Sequence, residues 1–346
     1  MEISTWTAYR STWSPDKIAV RFEGREITYA QLENNIAHLA GGLAGDLGVQ
    51  QGDRVAYLGQ SSPELLQLLF ACARLGAILV PLNARMTVEQ LRIILENCQP
   101  RCMLVESSFR QQGEECVKGL REIRLISFAG PSVGELEAVE LETLLGNAQA
   151  VGWNAELPLD TPVLIAYTSG TTGIPKGAVL TQEAIFYGAL NSTLAYDMTS
   201  AEEVLTIFPM FHVGGLTVHT TPAILAGGTV NILRQFDPAQ ALKEIENRRI
   251  SLIVASPTMS RGFTSHSNWD ITDLSSLRCV AFGAAVVTSE VVRPGAERSV
   301  PTAGIYGLTE ALPPAIAMPL NGARGMEGSI GVPSAYYPRP ASSIVK

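Results

Sequence analysis

Apolar positions along the chain follow a helix–strand rhythm. They recur at Leu32, Ile36, Leu39, Ala40, Leu43 and Leu47, the spacing of one buried helical face, and Gly48 ends the run. A short turn and strand over residues 24–29 lead into this helix. Residues 54–58 predict a strand. Ser62-Pro63-Glu64 then opens a helix predicted to reach Gly76, with a capping hydroxyl, a proline at the first position and an acid in the first turn. A strand over 78–81 follows, then a helix over 87–98 opened by the capping box Thr87-x-x-Gln90, then a strand over 102–105.

The rhythm returns after residue 160. An apolar, β-prone run covers 163–167, and Thr181 caps a helix to about Leu194. A strand over 204–208, a helix ending at Leu225, a Gly227-Gly228 turn and a strand over 229–233 come next. Asp237-Pro238 then opens a helix before a last strand over 252–255. These strands are short and apolar throughout rather than alternating, so they are predicted to be buried on both faces. The fold class is therefore α/β, with two parallel-type sheets flanked by helices. The pattern weakens over 130–160, where an acidic segment at 135–145 precedes Gly152-Trp153 and Pro158. That places a junction between a first α/β subdomain, residues 1–155, and a second, residues 156–320.

Composition narrows the partners. A chain of 346 residues accommodates two subdomains, and a net charge of −8 offers no basic surface for nucleic acid. The five cysteines, Cys72, Cys98, Cys102, Cys116 and Cys279, contain no Cys-x-x-Cys pair, and no His-Glu-x-x-His occurs, which argues against disulfides and zinc. Residues 1–10 lack the apolar core of a signal peptide, so Asn191-Ser192-Thr193 is not expected to be glycosylated. The most apolar stretch, 65–82, is broken by Gln67, Arg74, Gly76 and Pro81, which speaks against a membrane span. A cytoplasmic enzyme is the resulting expectation, with a homodimer left open.

Candidate chemistry centres on Val163-Leu-Ile-Ala-Tyr-Thr-Ser-Gly-Thr-Thr-Gly-Ile-Pro-Lys-Gly177. A buried strand ends in six small residues, Thr168, Ser169, Gly170, Thr171, Thr172 and Gly173, with Lys176 shortly after. Glycines let backbone N–H groups approach an anion, hydroxyls add donors and the lysine adds charge, as a phosphate-binding loop requires. A flexible linker of similar composition would lack the strand before it and the Pro-Lys-Gly after it. The Walker pattern is excluded, because Pro175 precedes the lysine and Gly177 follows it.

As written, this stretch resembles the core motif of the AMP-forming adenylating enzymes: acyl-CoA synthetases, firefly-type luciferases and peptide-synthetase adenylation domains. Tyr306-Gly307-Leu308-Thr309-Glu310 resembles a second motif of the same superfamily. The resemblance implies that Tyr306 lies against adenine, that Thr309 touches the α-phosphate, and that Glu310 binds magnesium. It also assigns catalytic roles to Thr309, Glu310 and Lys176. Residues 209–215 resemble the family's aromatic-His segment beside the acyl pocket, with Phe211 and His212; the alternative is a histidine merely packed in a loop. The strand ending in Phe282-Gly283-Ala284-Ala285 stands where the family has Gly-Gly-Ala-Pro, so only Gly283 and Ala284 match on the adenine side. Phe282 and Gly307 join Phe211 and His212 as expected pocket walls.

Gly328-Ser-Ile-Gly-Val-Pro333 resembles the turn opening a small β-rich subdomain, expected here to be incomplete over 321–346. The family's ribose-binding Asp, hinge and smaller domain with its catalytic Lys are not in the sequence, and Lys346 is not assigned that role. The resemblance implies ATP-dependent activation of a carboxylic acid as an acyl-adenylate, then transfer to coenzyme A, with ATP, Mg2+ and CoA required. The 346-residue chain alone is expected to be impaired. Loading of a carrier protein and simple nucleotide or acyl binding are the alternatives. A nicotinamide-type oxidoreductase is disfavoured, since no Gly-x-Gly-x-x-Gly occurs.

Overall fold

The computed structural model describes residues 2–120, 123–128, 138–154, 156–168, 175–318, 320 and 331–336. Its strands, in chain order, are β1 (Ile18–Phe22), β2 (Arg25–Thr28), β3 (Arg54–Gly59), β4 (Ile78–Asn83), β5 (Cys102–Glu106), β6 (Arg124–Phe128), β7 (Ala138–Glu140), β8 (Pro162–Thr168), β9 (Lys176–Thr181), β10 (Glu203–Thr206), β11 (Thr229–Ile232), β12 (Leu252–Ala255), β13 (Cys279–Phe282), β14 (Thr302–Tyr306), β15 (Ile316–Ala317) and β16 (Val332–Pro333). The helices of the first part of the chain include α1 (Thr5–Trp13), α2 (Tyr29–Gly45), α3 (Pro63–Leu75) and α4 (Val88–Cys98).

One sheet runs β7-β6-β5-β3-β4-β8-β9, parallel except for β9, which returns antiparallel to β8. The other runs β16-β15-β14-β13-β12-β10-β11-β1-β2, parallel from β14 to β1 and antiparallel at both edges. The expected α/β class with two mostly parallel sheets is observed. Sheet membership does not follow a division at residue 155, however. β1 and β2 join the later sheet beside β11, and β8 and β9 complete the earlier one. Parallel pairing between Val20 and Val230 is a long-range contact that leaves no trace in local spacing.

The capping chemistry behaves largely as the residues dictate. The Thr87/Gln90 box forms at the start of α4, and an equivalent Thr28/Gln31 box starts α2. Ser62 does precede α3, yet its hydroxyl makes no capping bond and meets the Tyr57 hydroxyl at 2.9 Å instead. Gly76 ends α3 at φ 65°, a left-handed geometry that glycine adopts without strain. The helix expected to end at Leu225 is split into Val213–Leu216 and Thr220–Ala226. Asn191 is buried and accepts from the Tyr336 backbone N–H at 2.9 Å, which ties residues 331–336 to the helix Gln182–Ala195. No helix among the described residues is long and apolar enough to cross a membrane.

The central core joins α2 and α3 with residues of both sheets, and two outer cores cover the far faces. Arg74, fully buried in α3, is held by Glu33 of α2 and by the Val151 carbonyl at 2.9 Å. A buried guanidinium persists there because its charge is paired and both terminal nitrogens donate, although Nε has no partner. Along β13 the side chains alternate: Cys279 and Ala281 enter the central core, while Val280 and Phe282 enter an outer one. Of the expected β-rich subdomain over 321–346 only residues 331–336 are described, and in them Val332–Pro333 pair with β15; residues 328–330 lie outside the described residues.

Candidate active site

The strand before the phosphate loop is β8, and its partner is β9. Ser169, Gly170, Thr171, Thr172 and Gly173 lie outside the described residues, but both flanks are placed: Thr168 pairs with Lys176 and Tyr167 with Gly177. Lys176 is exposed at the start of β9. The glycine after it has a steric reason. A Cβ on Gly177 would sit 2.7 Å from Ile165 Cγ2 and 3.1 Å from Tyr167 Cζ. The antiparallel return of β9 escaped the sequence reading, which saw only the loop and the Thr181 cap.

β9 packs against the single-turn helix Thr309–Ala311, so a strand of one sheet meets the turn that follows β14 of the other and carries Thr309 and Glu310. Glu310 is exposed on that turn and Thr309 is half-buried. Upstream, β14 leaves Tyr306 with 46% of its surface exposed at the strand's C-terminal end. The neighbouring strand brings Gly283 alongside, where an added Cβ would lie 2.7 Å from Ile305 Cγ1. Ala284 follows at φ 65°, a left-handed conformation uncommon for a residue with a side chain. Gly307 is equally constrained, since a Cβ there would meet Pro313 at 2.5 Å. Sequence-predicted residues from three segments thus gather at one rim, as expected for ligands at the carboxyl ends of parallel strands.

A single exposed carboxylate on a turn suits magnesium, which is commonly held by one or two carboxylates while phosphates and water complete its shell. Glu310 fits that habit. Among the described residues no group of three or more His, Cys, Asp or Glu side chains forms a protein-only metal cage.

Phe282 is a correction. Its ring is turned into the outer core with Val280 and Phe263, because the period of two along β13 points it away from the central core that Ala281 enters. It walls a small internal void of about 30 Å³ rather than an open cleft. Phe211 does line an open cleft, of about 500 Å³. The other walls come from residues just past the C-terminal ends of β3, β4, β10, β11 and β12, including Ser61, Arg85, Arg234 and Met259. His212 keeps part of its ring open to solvent while Phe208 and Phe211 crowd the rest, and this loss of water lowers its pKa.

Sequence reasoning missed the groups that brace this cleft. Met210 N–H donates to Ser61 Oγ at 3.1 Å, and Ser61 N–H donates to the Arg234 carbonyl at 3.3 Å. The Arg234 side chain pairs with Glu23 at 2.7 Å and also with Glu106, and lies 5.0 Å over the Phe22 ring. Glu106 accepts in addition from Gln60 N–H at 2.8 Å. Single serines and arginines scattered across 200 residues carry no periodic or motif signal, so only the fold reveals the clasp.

The sequence model of the AMP-binding enzyme family matches residues 8–338. The chain belongs to that family. An indoleacetate–CoA ligase from Aromatoleum aromaticum is 39% identical over 332 residues, which cover 96% of this chain and 64% of the relative. A feruloyl-CoA synthase from an Amycolatopsis species is 35% identical over 336 residues, 96% of this chain and 65% of the relative. Among solved structures, the inhibitor-bound N-terminal domain of FACL13 from Mycobacterium tuberculosis superposes with a TM-score of 0.87 at 25% identity. That match covers 97% of this chain and 83% of the other. The chain therefore spans just under two thirds of the length of these two curated relatives.

Proposed function

We propose that this AMP-binding chain carries the nucleotide- and acid-binding part of an AMP-forming acid–CoA ligase. The substrate carboxylate attacks the α-phosphorus of ATP and pyrophosphate leaves; a thiolate then attacks the acyl carbon and AMP leaves. No protein nucleophile is needed, so the residues act by position and charge. Lys176 faces the departing phosphates, Thr309 donates to the α-phosphate, and the Tyr306 ring and the Gly283-Ala284 backbone bound the adenine. Magnesium, held by Glu310, would neutralise phosphate charge. The observation that carries this reading is the docking of β9, with Lys176 at its start, on the Thr309–Ala311 turn.

Coenzyme A is favoured over a carrier protein because the two relatives named above are a CoA ligase and a CoA synthase. The same two relatives are an indoleacetate and a feruloyl enzyme, so an aryl or arylalkyl acid is the proposed substrate class. The test is pyrophosphate release by the full-length protein across aryl and fatty acids, followed by mass spectrometry of thioesters formed with CoA or a carrier. Aryl-dependent release and an acyl-CoA product are expected. ATP binding without release for any acid would overturn catalysis and support a binding role.

A further inference from the structure

Asn97 is the last residue but one of α4, exposed, and remote in sequence from the phosphate loop. Its side-chain oxygen nevertheless accepts a hydrogen bond from the Tyr167 hydroxyl. Tyr167 is the penultimate residue of β8, one position before the strand gives way to the loop. Its ring is half-buried in the outer core with Ile165, and it stands over Gly177 closely enough that a Cβ there would come within 3.1 Å of Cζ. In the ladder the Tyr167–Gly177 pair directly adjoins Thr168–Lys176. The chain of contacts therefore runs from helix α4 through the phenol to the backbone that presents Lys176.

We infer that Asn97 is a positioning residue for nucleotide binding: through the Tyr167 hydroxyl it fixes the hairpin strand that aims Lys176 at the phosphates. This rests on the proposed function. Without the tether the β8–β9 pair keeps its hydrogen bonds, but the ring over Gly177 is free to swing and the end of the hairpin with it. Burial raises the Tyr167 pKa, so the phenol remains a donor at neutral pH. The Cys98 thiol lies near the same hydroxyl, but sulfur is a weak acceptor and does not replace the amide oxygen.

The experiment is calorimetric binding of ATP and of AMP, each with magnesium, to the full-length protein and to Asn97→Leu, Asn97→Asp, Tyr167→Phe and the Asn97→Leu/Tyr167→Phe double variant. Asn97→Leu and Tyr167→Phe should each weaken ATP binding about 3- to 10-fold, the range expected for one lost hydrogen bond. AMP, which lacks the β- and γ-phosphates, should bind as before. The double variant should be no weaker than either single one, since both remove the same contact. Asn97→Asp keeps an acceptor oxygen and should retain wild-type ATP affinity. Unchanged ATP affinity in Asn97→Leu, equal losses for ATP and AMP, or multiplying losses in the double variant would overturn the inference. Failure of the wild-type protein to bind ATP at all would instead overturn the functional reading beneath it.

Discussion

Replacing Arg234 by methionine tests how the two sheets are held at the cleft. The substitution keeps much of the aliphatic volume but removes the partner of Glu106, whose side chain is only 5% exposed. Removing one member of a buried pair costs about 3–5 kcal/mol where the remaining charge is left bare. Here Glu106 keeps bonds from Gln60 N–H at 2.8 Å and Ser108 Oγ at 3.0 Å, and Arg234 is itself 26% exposed. A loss of about 2–3 kcal/mol is therefore the prediction for Arg234→Met. Glu106→Gln retains an oxygen for Gln60 and leaves Arg234 its Glu23 partner, so it should cost about 1 kcal/mol. The double variant has no orphaned buried charge and should be more stable than Arg234→Met alone, a coupling of at least about 1 kcal/mol. Urea unfolding followed by fluorescence of the four tryptophans reads all three. If the double variant lost the plain sum of the single losses, the claim that Glu106 is held in place by Arg234 would be refuted.

Three further outcomes are expected. Gly215→Ala would put a Cβ 2.4 Å from the Phe208 and Pro209 carbonyl oxygens, and should cost about 1–3 kcal/mol in urea unfolding; an unchanged midpoint would mean that the turn yields freely. Lys176→Ala should weaken ATP binding about 10-fold or more while sparing AMP, whereas Tyr306→Ala should weaken both, because adenine is common to them; calorimetry separates the patterns, and a reversed result would exchange the two assignments. His219 is fully buried against the Tyr196 ring at 4.7 Å, and burial lowers its pKa from 6.5 to about 3. The unfolded chain takes up that proton first, so stability is full above about pH 6.5 and falls on acidification at up to about 1.4 kcal/mol per pH unit for this group. His219→Phe should flatten the decline between pH 7 and pH 5, and an equally steep decline would rule His219 out as its source.

Local chemistry was legible wherever neighbours in sequence are neighbours in space. The capping box at Thr87, the proline start of α3 and the strand leading to Thr168 all depend on residues within a few positions of one another. The Tyr306–Glu310 and Gly283-Ala284 segments were likewise found by motif, and the fold sets them side by side. Facing was harder: Phe282 reads as one more apolar residue in a fully buried strand, and only the alternation along β13 against two different cores decides its direction. Arg74 looked like an interruption of an apolar run, and proves to be its ion-paired centre. α1 went unread because its residues are mostly polar or aromatic, and β1 because five residues give too short a pattern and its parallel partner β11 lies far along the chain. The Ser61, Arg234 and Glu106 clasp, and Asn97 beside the hairpin, have partners that no local pattern announces.

The place of β1 in the later sheet sets a timetable for synthesis. The Ile18 carbonyl accepts from Thr229 Oγ1, 211 residues further on, and Val20 pairs with Val230. At about 5–20 residues per second, the ribosome needs on the order of 10–40 s to deliver that partner. Throughout this interval the β1–β2 ribbon, with Val20 and Phe22 along it, has no β11 to lie beside. The earlier sheet also waits, for β8 and β9, but for a shorter time. The amino terminus is thus the first segment made and among the last to be seated. Its apolar residues are the part of the nascent chain that most needs shielding from other chains until β11 emerges.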